Sequence, residues 1–116
     1  LELGKLGSDD DLDLAAQGPD DALAALATVE TGRRLAEAGK IERARSTLEA
    51  VAEDASMEPI PRALARFELG MIAKRTKEDG AARLWFALVR DESSEGWLRE
   101  KAEKELASLS PPAMTP

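Results

Sequence analysis

The stretch Ala25 to Ser56 is echoed by Ala63 to Ser94 at a fixed offset of 38 residues. Ala25, Leu26, Ala27, Glu30, Gly32, Ala44, Arg45, Val51 and Ser56 recur as Ala63, Leu64, Ala65, Glu68, Gly70, Ala82, Arg83, Val89 and Ser94, and Leu48 is answered by Phe86. Nine identities in 32 aligned positions exceed a shared taste for alanine, because the glycine, the glutamate and the serine also fall in register. A fixed period of this size is the trace left by stacked supersecondary units, none of which buries its apolar face alone.

The units read as helical. Apolar positions are mostly Ala and Leu, the aromatics are Phe67, Trp85, Phe86 and Trp97, and β-branched residues are scarce, a mixture that favours helix over sheet. Gly18-Pro19-Asp20-Asp21 opens a first helix, with proline in the first turn and carboxylates at the positive helix end. That helix is expected from about Pro19 to Ala38, with Gly39 as a left-handed C-cap. From Ile41 the positions Ile41, Ala44, Leu48, Val51 and Ala55 step by three and four, giving a second amphipathic helix of about 14 residues. Pro59 and Pro61 break the pattern and restart it, so a third helix runs from Pro59 or Ile60 to about Arg75. A fourth spans about Glu78 to Asp91, with Ala82, Trp85, Phe86 and Val89 on one face. Ser94 is expected to cap a fifth, whose inner side is Leu98, Ala102, Leu106 and Leu109. Gly32 and Gly70 lie inside helices, where glycine costs about 1 kcal/mol against alanine, so equivalent placement predicts close helix-helix approach.

The predicted architecture is therefore all-α: two helix hairpins and a closing helix over residues 19–109, with an acidic leader, 1–18, and a proline-rich tail, 110–116. The net charge of -7 belongs to the leader: Glu2, Asp9, Asp10, Asp11, Asp13, Asp20 and Asp21 face only Lys5, so residues 1–21 carry -6 and the rest -1. A near-neutral body without a basic stripe offers no electrostatic footprint for nucleic acid or anionic lipid. The leader reads as a solvated spacer, or as an arm that folds onto a cationic groove of its own or a neighbouring molecule. Its Asp9, Asp11 and Asp13 imitate the start of a calcium loop, but Leu14 stands where that turn needs glycine and Asp20 where a bidentate glutamate belongs. The chain begins with Leu1, as an excised domain would, and no apolar run reaches the ~18 residues of a membrane span.

The inventory of side chains also bears on chemistry. The sequence contains no His, Cys, Tyr or Asn, which removes the usual neutral-pH base, the thiol nucleophile and the imidazole and thiolate ligands of zinc. There is no glycine-rich phosphate loop, and charge runs on amphipathic helices are ordinarily solvated faces. The expectation is a protein without catalytic residues, cofactor or metal, acting by surface recognition.

Gly32, Leu35, Gly39, Ile41, Ala44 and Leu48 in the first unit, and Leu69-Gly70, Ala82 and Phe86 in the second, resemble the spaced small and large positions of the tetratricopeptide repeat family across residues 22–109. The first unit lacks the family's early aromatic and has Thr31 before its glycine, the second has Lys77 where the turn glycine would stand, and the period is 38 rather than 34 residues, the surplus lying in the linker Ala55 to Pro61. That longer linker and the closing segment Ser94 to Leu109 are similar to bacterial envelope members of the family, of the Tol-Pal coordinator and outer-membrane assembly lipoprotein type. An Ala, Arg and Glu bias fits a GC-rich bacterial genome. The resemblance implies a right-handed α-α superhelix, a role as a protein-protein interaction scaffold in an envelope or periplasmic assembly, and a concave groove lined by the first helix of each pair. Carried over residue by residue, the groove positions are Arg33, Glu37 and Lys40 in the first unit and Phe67, Met71, Lys74 and Arg75 in the second. An apolar floor flanked by cations implies an acidic-hydrophobic peptide partner, although Phe67 fits core as well as groove, and Lys74 with Arg75 also suits a helix C-terminus. The family's carboxylate clamp uses asparagines, which this chain lacks. Trp97 is expected to pack into the core where it covers the end of a hairpin, the alternative being contact with an adjoining subunit in a homo-oligomer whose stack ends mate.

Overall fold

The computed structural model describes residues 21–109, which form five α-helices and no strand: α1 (Asp21–Glu37), α2 (Ile41–Ala52), α3 (Pro59–Arg75), α4 (Asp79–Glu92) and α5 (Gly96–Ser108). The expectations for the acidic leader, the calcium-like aspartates, the Pro19 start and the tail lie outside the described residues. Each helix packs on the next in the chain, and α1 also packs on α3.

The two mid-helix glycines explain the first and third of these pairings. An added Cβ at Gly32 would lie 2.5 Å from Leu48 Cγ, and one at Gly70 would lie 2.7 Å from Phe86 Cε1. Each glycine therefore admits a large side chain from the following helix against its backbone, and both Leu48 and Phe86 are fully buried. Gly32 lies near the end of α1 and Leu48 beyond the middle of α2, so their contact requires the chain to reverse between the helices. The same holds 38 residues later for Gly70 and Phe86.

The reversals use the same device. After α1, Gly39 adopts φ +85°, Lys40 N donates to Leu35 O at 2.8 Å and Gly39 N to Ala36 O at 3.0 Å. After α3, Lys77 adopts φ +68°, Glu78 N donates to Ala73 O at 2.8 Å and Lys77 N to Lys74 O at 3.2 Å. Both are Schellman terminations, in which a left-handed residue lets two trailing amides satisfy orphan helix carbonyls. Lys77 thus takes a conformation for which glycine is suited and an L-residue strained.

Helix α3 is the shared wall. One face joins Ala65, Leu69 and Ile72 to Val29 of α1 and to Ala44, Leu48 and Val51 of α2, and the other joins Ala63, Phe67 and Ala73 to Phe86 and Val89 of α4, to Leu98 and Ala102 of α5 and to Leu109 just after it. Arginines close the seams. Arg75 Nη1 donates to Ala36 O at 2.8 Å and Arg62 Nε to Ala52 O at 3.3 Å, supplying partners to carbonyls at the ends of α1 and α2. Arg45 reaches Glu78 at 3.0 Å, tying α2 to the turn before α4. The outer face of α5 exposes Arg99, Glu100, Glu103 and Lys104.

Three sequence expectations are corrected. Helix α2 ends at Ala52, and Ala55 is exposed, because Asp54 Oδ1 accepts the Ser56 amide at 2.9 Å and its hydroxyl at 2.6 Å, an Asx turn that competes with the helix. Ser94 does not cap α5: the N-cap residue is Glu95, which makes no side-chain cap bond, and its amide donates to Ser93 Oγ at 3.1 Å. Trp97 does not pack into the core; it is 51% exposed, while its neighbour Leu98 is fully buried.

Candidate functional site

A groove of about 230 Å³ lies where α1, α3 and α5 face one another. Arg33 and Glu37 of α1, one helical turn apart, form one bank with Ala36 between them. Phe67, Glu68, Met71, Ile72 and Arg75 of α3 form the floor, spaced at three and four so that they share a face. Lys101 of α5 closes the far bank.

The structure thus gathers five of the seven residues implied by the family resemblance, namely Arg33, Glu37, Phe67, Met71 and Arg75. Lys40 and Lys74 do not line it. Lys40 is exposed in the α1–α2 turn, and Lys74 points at α5, donating to Glu105 at 2.6 Å and to Ser108 Oγ at 2.8 Å. Phe67 serves both roles between which the sequence could not choose. Its ring is 5% exposed and tilted against Phe86 at a centroid distance of 5.3 Å, yet its outer surface reaches the groove, where Lys101 Nζ lies 5.1 Å from the ring centroid.

The charges of the groove are unequally committed. Arg33 donates to Glu37 at 2.6 Å and to Glu30 through Nε at 3.0 Å, and Glu30 also accepts from Arg34 at 2.9 Å. Hydrogen bonds from Arg33 and then Arg34 hold the Glu30 carboxyl down from its ordinary 4.5 to about 2, and the same bond raises Arg33. Arg75 is engaged by the Ala36 carbonyl but by no carboxylate among the described residues. Glu68 is half-buried on the floor, and among the described residues no hydrogen bond or ion pair reaches it. Burial raises its carboxyl above the ordinary range, against the opposing pull of Arg33 and Lys101.

Glu68 and Lys101 are the groove residues that the sequence reading missed. The signal for Glu68 was available: it repeats Glu30 at the 38-residue offset. Lys101 offered none, since it stands among Arg99, Glu100, Glu103 and Lys104 on a helix charged along most of its surface. Trp97 stands apart from the groove, and a separate cavity of about 280 Å³, lined by Leu26, Pro59, Ile60 and Ser94 among others, opens between the start of α3 and the loop before α5.

No protein-family model, curated protein or solved structure matches this chain. The arrangement can grip a chain segment: an apolar floor of Met71 and the Phe67 edge, flanked by charged groups that fix orientation. Among the described residues no helix is long and apolar enough to cross a membrane, and no three acidic side chains converge to hold a metal ion.

Proposed function

We propose that the protein is a non-catalytic interaction scaffold, a tetratricopeptide-like right-handed stack that holds a peptide or protein segment in the groove between α1 and α3. The observation that carries this reading is the convergence around one concavity of Arg33, Glu37, Phe67, Met71 and Arg75, five of the seven positions implied by the tetratricopeptide resemblance. The stack reading is supported by the recurrence, at 38 residues, of both the glycine contact and the Schellman reversal. An acidic-hydrophobic segment draws less support than the groove itself, because Arg33 and Lys74 are already paired with carboxylates of this chain. The envelope or periplasmic setting rests on the linker and closing segment alone.

The test is selection of random peptides on the 116-residue chain, followed by rebinding to Met71→Asp and Arg75→Ala. Selected peptides should lose affinity on Met71→Asp, with unchanged binding to a control altered at exposed Glu103. Peptides indifferent to both groove substitutions would overturn the assignment.

A second reading has its own observation. Trp97 is 51% exposed at the start of α5, and a bare indole at a stack end suits self-association. Light scattering across concentrations separates the two: a dimer that dissociates on Trp97→Ala supports the oligomerisation module, and a monomer throughout removes it.

A further inference from the structure

Glu30 and Glu68 occupy the same place in the two repeats, and the structure shows what each has for company. Glu30 is followed at i+3 and i+4 by Arg33 and Arg34, and both donate to its carboxylate. At the corresponding positions after Glu68 stand Met71 and Ile72, which can donate nothing. The second glutamate has therefore kept its carboxylate and lost its guanidinium. It also lies on the floor of the groove, half-buried, with the apolar Met71 and Phe67 beside it.

A carboxylate withdrawn from water without a hydrogen-bond donor is costly, and a ligand that brings the donor recovers that cost on binding. The nearby cations do not fill the role. Arg33 is turned to Glu30 and Glu37, and Lys101 is placed over the Phe67 ring. Resting on the groove reading above, we infer that Glu68 is the specificity anchor of the groove and takes an arginine side chain of the bound segment, with an adjacent apolar side chain of that segment packed on Met71. The geometry is the one the protein displays on itself at Glu30, where two guanidinium groups share one carboxylate. Arginine is the matching group because its planar fork pairs with both carboxylate oxygens and is weakly hydrated, so it enters a half-buried site more readily than lysine. Arg75 and Lys101, which lack carboxylate partners among the described residues, would receive acidic residues flanking that arginine. The occupant is thus a segment with an arginine beside a leucine-like residue, carrying acids at its ends.

The probe is a set of short acetylated peptides with a Leu-X-Leu centre and one glutamate at each end, where X is arginine, its neutral isostere citrulline, or glutamate. Each is titrated into the full 116-residue chain and followed by amide chemical shifts. The arginine peptide should shift amides of α1 and α3 along the groove and bind at least about tenfold more tightly than the citrulline peptide. In Glu68→Gln that preference should vanish. The substitution is isosteric and relieves an unpaired charge, and an unchanged urea midpoint or a higher one verifies the fold. In Glu68→Lys the order should reverse in favour of the glutamate peptide. Equal groove shifts from the arginine and citrulline peptides, or strongest binding by the glutamate peptide to the unaltered chain, would overturn the anchor while leaving the groove in place. If no groove amide responds to any peptide, the anchor is overturned as well, and the peptide selection with Met71→Asp decides separately whether the groove itself survives.

Discussion

Gly70→Ala sets two effects of opposite sign against each other, and the structure says which wins. In an open helix interior, alanine is favoured over glycine by about 1 kcal/mol. At position 70 the new Cβ would lie 2.7 Å from Phe86 Cε1 and 2.9 Å from both Cδ1 and Cζ, distances that real Cβ atoms do not tolerate. The ring cannot swing aside, because Phe86 has no exposed surface and is enclosed by Ala63, Phe67, Val89 and Leu98. Overpacking of this kind costs about 1–3 kcal/mol. The net expectation is a destabilisation of roughly 0–2 kcal/mol, which in a domain of this size lowers the melting temperature by about 4–8 °C per kcal/mol. Gly80→Ala is the control, since nothing lies within 4 Å of its added Cβ, and there the substitution should be neutral or stabilising. The cause is isolated by Phe86→Val, which removes all three contacting atoms at a cost of roughly 2–4 kcal/mol. In that background Gly70→Ala should turn stabilising, giving a coupling energy of at least about 1 kcal/mol in urea unfolding followed by far-ultraviolet circular dichroism. A Gly70→Ala variant more stable than the unaltered protein, or effects of Gly70→Ala and Phe86→Val that add within about 0.5 kcal/mol, would refute the close-approach argument.

Lys77→Gly should stabilise the protein by about 0.5–1 kcal/mol in the same assay, because φ +68° strains lysine more than glycine's extra unfolded-state freedom costs, and Gly39→Ala should do the reverse. Glu30 and Glu68 should leave opposite signatures in urea midpoints between pH 7 and about 2. The Glu30 carboxyl, lowered to about 2, contributes stability that is present above 4.5 and lost as pH falls from there, so Glu30→Gln flattens that acid-side decline. The Glu68 carboxyl is raised, so its native form binds the proton first; its penalty is present at neutral pH and relieved as pH falls through the raised value toward 4.5, and Glu68→Gln removes that rise. Leu48→Ala should cost about 2–5 kcal/mol, the ordinary price of emptying a fully buried leucine site, and a loss under 1 kcal/mol would show that Gly32 does not hold it in a fixed seat.

The helices were legible because their signals are local. Gly39 marked a reversal, Pro59 a start, and the three-and-four spacing of Ala44, Leu48 and Val51 a buried face, and each of these depends on the chain within a turn or two of itself. The glycine pair was legible for a different reason: the 38-residue echo supplied the long-range term that a single helix lacks. Where the reading failed, the deciding partner was on another helix or one residue away. Ser93 and Ser94 are both competent to accept an amide, and only the backbone at Glu95 selects Ser93. Trp97 and Leu98 stand about 100° apart around α5, so a small rotation decides which is buried. Lys74 and Arg75 differ by the same angle, and the position of Glu105 and Ser108 on α5 turns Lys74 away from the groove, while Arg75 turns to Ala36.

Glu68 is the instructive case, because its position was visible and its state was not. Glu30 and Glu68 are equivalent in the 38-residue echo, yet their carboxylates differ in state. What separates them is the pair of side chains one turn later: arginines after Glu30, Met71 and Ile72 after Glu68. In the first repeat the carboxylate belongs to a closed surface network, and its proton affinity falls accordingly. In the second the same carboxylate is drawn into a groove that α5 completes, where burial outweighs the pull of Arg33 and Lys101 and raises it. On the reading proposed above, the recognition chemistry lies where the two echoed segments differ, at the carboxylate that has no internal partner among the described residues.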